Sequence, residues 1–259
     1  MECSKYKLGL VSVSFRTHEP KEIIEAARAA GLSCIEWGSD IHAPCRNAER
    51  LAQIAALQKE YGIRCCSYGT YFRLGETPLD ELTDYIAAAK MLGTNILRLW
   101  CGTKSGADMT ADEKKDLLSV CRKAADIAKE HGVTLCMECH IKTLTEQTKD
   151  ALWLMQEVNA SHFRMYWQPN QFRTEAKNLA SAQILAPYTK TIHVFNWEGR
   201  QKLPLMDAAE TWRRYLSCFD GSQGLLLEFM PDGELTTLGR EAEALRAIVD
   251  TEKMLTKGE

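Results

Sequence analysis

Gly224-Leu225-Leu226-Leu227-Glu228-Phe229 is a strand-length apolar run with a carboxylate near its end. Its place in the chain decides the fold, because it is the eighth run of its kind. Working back from it, residues 191–195, 163–167, 133–138, 95–100, 64–68, 33–37 and 8–14 are likewise short, apolar and marked by β-branched side chains. Between them lie longer stretches with apolar residues at i, i+3 and i+4, the pattern of a helix that buries one face. Residues 20–30 carry Ile23, Ile24, Ala27 and Ala30 in this spacing, and residues 112–131 carry Leu117, Leu118, Cys121, Ala124 and Ala128. Strand-helix alternation by itself also fits a doubly wound open sheet. A period of about thirty residues repeated eight times, with no G-x-G-x-x-G after the first strand, selects a single-domain (β/α)8 TIM barrel over residues 1–259.

The punctuation of the chain agrees. Ala30-Gly31, Tyr61-Gly62, Leu92-Gly93 and His131-Gly132 each set a glycine where a helix must reverse into the next strand. Thr110 ahead of Asp112 and Glu113 marks a helix start. Thr143-Leu144-Thr145-Glu146 has the T-x-x-E form of a capping box and predicts another. No linker, low-complexity tract or shift in composition divides the chain.

A net charge of −3 with no Lys/Arg block leaves no electrostatic footprint for nucleic acid. No apolar run approaches the length of a membrane span, and residues 1–7 lack the apolar region of a signal peptide, so a cytoplasmic protein is expected. Ten cysteines in a chain of this size are then expected as reduced thiols. Cys136 and Cys139 form a CxxC, but positions i and i+3 of a strand face opposite ways, which argues against joint chelation.

In a (β/α)8 barrel the chemistry gathers at the C-terminal ends of the strands. The fifth strand ends in Glu138, the sixth runs on into Gln168-Pro169-Asn170, the seventh carries His193 and the eighth carries Glu228. An ionised glutamate after three leucines is expensive to bury unless a cation or another partner compensates it. Taken singly, each has a structural reading: a glutamate paired with an arginine such as Arg98, or a hydrogen-bonded core histidine. Four ligand types on four consecutive strands point instead to a metal or catalytic site. Strands two to four add His42, Tyr68, Arg98 and Trp100, groups suited to stacking on a sugar ring and meeting its oxygens.

Ile35-Glu36-Trp37-Gly38 with His42, Ser67-Tyr68-Gly69, Arg98-Leu99-Trp100 with Gly102, and His193-Val194-Phe195 followed by Leu203-Pro204-Leu205 resemble the xylose isomerase-like TIM-barrel superfamily, the sugar phosphate isomerase/epimerase group. The resemblance runs over nearly the whole chain. In the ketose 3-epimerases of that superfamily a glutamate, an aspartate, a histidine and a glutamate on strands five to eight hold Mn2+, Mg2+ or Co2+. The resemblance carries those positions onto Glu138, Gln168, His193 and Glu228. Gln168 departs from the pattern, since a neutral amide oxygen coordinates a dication with a weaker electrostatic hold.

The activity so implied is metal-dependent isomerisation or epimerisation of a sugar or sugar derivative, with Glu138 and Glu228 moving a proton beside a carbonyl. His42, Tyr68, Arg98, Trp100 and Asn170 are the expected substrate contacts. A dehydratase of a keto-sugar or inosose, starting from the same proton abstraction, and a non-catalytic sugar-binding barrel are the alternatives. The abasic-site endonucleases that share the barrel resemble this chain less, because their multi-zinc sites need more histidine and aspartate ligands than the six histidines here allow. The expected partner is a small-molecule sugar or sugar derivative, and a homo-oligomer is compatible with the sequence, which does not set the assembly.

Overall fold

The computed structural model describes residues 6–255. Eight parallel strands form its centre: β1 (Lys7–Val11), β2 (Cys34–Gly38), β3 (Arg64–Leu74), β4 (Ile96–Cys101), β5 (Thr134–Glu138), β6 (Phe163–Trp167), β7 (Thr189–Val194) and β8 (Gly224–Leu227). They close into a barrel, because β8 pairs with β7 on one side and with β1 on the other, Leu8 opposite Leu225 and Leu10 opposite Leu227. The leucine run is therefore an interior member of a closed sheet.

A helix follows each strand: α1 (Pro20–Ala29), α2 (Ala48–Tyr61), α3 (Leu82–Leu92), α4 (Ala111–His131), α5 (Thr148–Val158), α6 (Glu175–Leu185), α7 (Ala209–Leu216) and α8 (Leu238–Leu255). Gly62 and Gly132 close α2 and α4 with φ of 67° each, the left-handed turn that a residue without a Cβ adopts freely. Thr110 caps α4 through a reciprocal pair: its hydroxyl accepts the Glu113 N–H and its own N–H donates to the Glu113 carboxylate.

The two-residue period of the strands sorts side chains between two apolar zones. Leu225, Leu227, Ile35, Trp37, Leu97, Leu99 and Leu135 point outward into the layer shared with the helices. Leu226, Cys34, Cys136 and Tyr166 point into the barrel. This parity also decides where the acids go, since Glu36, Glu138 and Glu228 follow Cys34, Cys136 and Leu226 by two residues and share the inward face.

Several local expectations need correction. The first strand stops at Val11, because Ser12–Phe15 form a 3-10 turn in which the Ser12 hydroxyl accepts the Gly38 N–H. The third strand runs on to Leu74, well past residue 68. Thr143 does not cap a helix: its hydroxyl donates to the His140 carbonyl, Glu146 accepts from the Lys142 N–H, and α5 begins only at Thr148. Local hydrogen bonding by threonine and glutamate leaves only a single 3-10 turn there, Leu144–Glu146, uncapped by the Thr143 side chain. All the described cysteines are free thiols, Cys136 inside the barrel and Cys139 beyond the strand end. No helix among the described residues is long and apolar enough to cross a membrane.

Candidate metal centre

The C-terminal mouth of the barrel holds a cavity of about 370 Å³, lined in part by Arg16, Tyr71, Trp100, Asn170, Trp197, Phe229 and the two carboxylates Glu138 and Glu228. At its floor, ligand atoms of Glu138, His193 and Glu228 lie within 4.8 Å of one another. The Nδ1 atom of His193 is 3.4 Å from Glu228 Oε2 and 3.8 Å from Glu138 Oε1. Gln168 meets the same atom, its Oε1 2.9 Å from His193 Nδ1, while its amide nitrogen donates to the Cys139 carbonyl at 3.1 Å. All four expected ligand positions thus converge. A larger hollow of about 520 Å³ opens at the opposite end of the barrel beside Lys7, Arg64 and Lys190, but among the described residues no carboxylate or imidazole lines it.

Charge explains why this floor suits a dication. Glu36, Glu138 and Glu228 are buried beside one buried guanidinium, Arg98, so with a neutral His193 two negative charges remain uncompensated. Burying that excess is costly unless a cation or protons offset it. Two carboxylates, an imidazole and an amide oxygen form a donor set suited to Mn2+, Mg2+ or Co2+. In the ion-free state protons serve instead. Burial, with the charge of Glu138 adding to it, pushes the Glu228 carboxyl up to about 7 against the opposing pull of His193 and Arg98. Burial by itself lowers the His193 imidazolium, but Glu228, Glu36 and Glu138 outweigh it and the net shift is upward.

The two glutamates of the cluster differ in their surroundings. Glu138 Oε2 accepts from Arg98 Nη1 and from the indole N–H of Trp100. Burial opposes its ionisation, yet Arg98 and His193 hold its carboxyl below the ordinary range. Glu228 has no such partner: among the described contacts its carboxylate meets only His193.

Arg98 itself is held from the other side by Glu36, a residue that the reading of strand ends passes over. Glu36 Oε1 accepts from Arg98 Nε at 2.9 Å, and its Oε2 accepts from Ser67 at 2.7 Å and from the Tyr166 hydroxyl. Gly69 makes room for this pair, since a Cβ there would stand 2.6 Å from Glu36 Oε1 and 2.9 Å from Arg98 Nη2. Glu36 was visible in the sequence by the same logic as Glu228, a lone acid in an apolar strand.

The expected substrate contacts divide. Arg98, Trp100 and Asn170 line the cavity, Asn170 with its side-chain oxygen committed to the Phe172 N–H. Tyr68 does not: it is outward-facing, fully buried, and its hydroxyl donates to the Ala43 carbonyl. His42 does not either, since it lies buried against Trp37 with Nδ1 3.0 Å from the Ser12 hydroxyl. Residues not anticipated take their place at the mouth. Arg16 is held there by Asp40 and the Tyr71 hydroxyl, and Trp197 packs on Phe229 with ring centroids 5.2 Å apart.

Residues 24–225 match the family described as "Xylose isomerase-like TIM barrel". The chain belongs to this family. Within the xylose isomerase-like barrels, it is 22% identical over 202 residues to a 3-dehydroshikimate dehydratase of Bacillus anthracis, covering 74% of this chain and 71% of that one. Among solved structures it superposes on the probable 3-dehydroshikimate (3-DHS) dehydratase of petrobactin synthesis from Bacillus anthracis with a TM-score of 0.79 at 17% identity, covering 93% of this chain and 98% of the other. An L-ribulose 3-epimerase matches with a TM-score of 0.75 at 15% identity over 97% of each chain. These structural likenesses establish a shared barrel, on which sites with different chemistry are built.

Proposed function

We propose that the protein is a metal-dependent lyase that removes water from a small polyhydroxylated carbonyl compound, with 3-dehydroshikimate as the first substrate to test. The observation that carries this reading is the inequality of the two glutamates. Epimerisation calls for two groups able to take and return a proton on opposite faces of one carbon. Here Arg98 and Trp100 fix Glu138 as a carboxylate, while Glu228 takes no such donor among the described contacts and is the acid left to carry a proton.

Glu138, His193, Glu228 and Gln168 are the residues that would hold the ion. A bound dication supplies Lewis acidity, polarising the substrate carbonyl and stabilising the charge that develops on its oxygen. Glu228 takes the proton from the carbon beside that carbonyl. The electron pair of the broken C–H bond forms a C=C bond as the β-hydroxyl leaves, and Glu228 returns its proton to that oxygen, so water departs and the carboxylate is restored. One carboxyl on one face completes the cycle. Trp100, Tyr71 and Phe229 give the ring a dry wall, and Arg16 meets its outlying oxygens.

The test incubates Mn2+-loaded protein in deuterated water with 3-dehydroshikimate and a panel of inososes and ketoses. The expected result is a dehydrated product, aromatic in the case of 3-dehydroshikimate and read by its ultraviolet absorbance. Deuterium exchange or an epimer without loss of water would overturn the lyase reading in favour of an epimerase, and ligand binding without exchange would favour a binding protein.

A further inference from the structure

Glu36 has no part in the proton transfer, yet it is wholly buried directly beneath the cluster. Its Oε1 lies 3.7 Å from Nε2 of His193, and that nitrogen is buried without a hydrogen-bond partner. The other ring nitrogen, Nδ1, faces Glu138 and Glu228 and in the ion-free protein donates to Gln168 Oε1 at 2.9 Å, so an ion bound at Nδ1 requires the hydrogen on Nε2 instead. An imidazole ligand binds an ion through one nitrogen and keeps its hydrogen on the other, and the group that accepts this hydrogen sets the tautomer and the ring orientation.

We propose that Glu36 is the positioning residue of the metal centre: it accepts the Nε2 hydrogen of His193 and so presents Nδ1 to the ion as a lone pair. The inference rests on the metal reading of the Glu138–His193–Glu228 cluster. A ring movement of about 1 Å brings 3.7 Å to hydrogen-bond length, which the carboxylate tolerates because its remaining lone pairs are already anchored. Arg98, Ser67 and Tyr166 fix it on three sides, and the missing Cβ at Gly69 leaves space for the pair. Through Arg98 the same carboxylate also sets the position of Glu138, so one buried acid aligns two ligands.

The experiment labels histidine with 15N and follows the Mg2+-loaded protein by NMR, alongside Mn2+ titrations of the wild type, Glu36→Gln and Glu36→Asp by calorimetry. The wild type is expected to show His193 with hydrogen on Nε2 and nitrogen Nδ1 on the ion. Glu36→Gln is expected to lose 10- to 100-fold in Mn2+ affinity, roughly the range for removal of an orienting partner, and to lose the Nε2–H signal. Glu36→Asp, which keeps the charge and the fold should the amide variant fail to fold, is expected to recover part of both. A folded Glu36→Gln with wild-type affinity and an unchanged His193 tautomer would overturn the proposal, as would a wild type with hydrogen on Nδ1 in the loaded state. A wild type that takes up no divalent ion would remove the metal reading itself, an outcome visible before any variant is made.

Discussion

Glu138 and Glu228 share one cavity and face the same imidazole nitrogen, yet the barrel treats them in opposite ways. Glu138 ends a regular strand, takes two strong donors on one oxygen and stays ionised through burial. Glu228 sits one residue beyond the last strand, in front of Phe229 with its left-handed φ of 59°, and among the described contacts its carboxylate meets only His193. The lesson is that equal burial does not mean equal chemistry: the number of donors aimed at a carboxylate decides whether it serves as a fixed charge or as a proton carrier.

The largest effect should come from removing the proton carrier. Glu228→Gln is expected to lower kcat for the dehydration about a thousandfold, within the range of general acid–base catalysis. Comparable loss on Glu138→Gln with metal still bound, checked by elemental analysis, would erase the distinction between the two residues.

Next comes the anchor. Arg98→Leu strands Glu36 and Glu138 as buried, unpaired carboxylates and is expected to destabilise the ion-free protein by about 3–5 kcal/mol in urea denaturation. The burial of all three groups makes solvent screening minor. A loss below about 1 kcal/mol, the scale of an exposed pair, would mean that water reaches the floor.

The pH response sharpens the comparison. The Glu228 carboxyl is raised above its unfolded value by burial, so the stability it contributes to the ion-free protein is complete at low pH and is lost as pH rises through about 7. The upward shift of His193 acts in the same sense. An ion competes with those protons, so the rise in Tm on adding Mn2+ should be larger at pH 8 than at pH 6. Glu228→Gln should flatten most of that difference in a thermal-shift series. A wild-type rise that is independent of pH would place the ion elsewhere.

The smallest effect concerns the backbone next to Glu228. Phe229→Gly and Phe229→Ala both delete the ring, but only glycine relieves the left-handed conformation. The glycine variant should be the more stable by about 1 kcal/mol in denaturant unfolding. Equal stability would show that the turn relaxes once the ring is gone.

Particular residues show how far the sequence could be read. The eight runs and their helices were legible because periods of two and of three to four residues are local properties, fixed by backbone geometry. Glu138, Gln168, His193 and Glu228 were legible because a parallel barrel gathers strand ends at one mouth. Tyr68 and His42 were misplaced for a different reason. Closeness to a strand end in sequence says little about facing, which an extra residue on β3, Cys66 opposite the Ile35–Glu36 step of β2, and a 3-10 turn at Ser12 change locally.

The amino-acid sequence by itself determined that eight strand-helix units alternate, that carboxylates and an imidazole stand where a barrel concentrates chemistry, and that nothing in the charge favours nucleic acid. Only the tertiary structure decided which acids are paired. Arg98 reaches Glu36 62 residues before it and Glu138 40 residues after it, a choice made by the closure of the barrel and not by any local pattern. Since a buried carboxylate's proton affinity depends on the donors within a few ångströms, the difference between a fixed charge and a proton carrier exists only once the chain has folded.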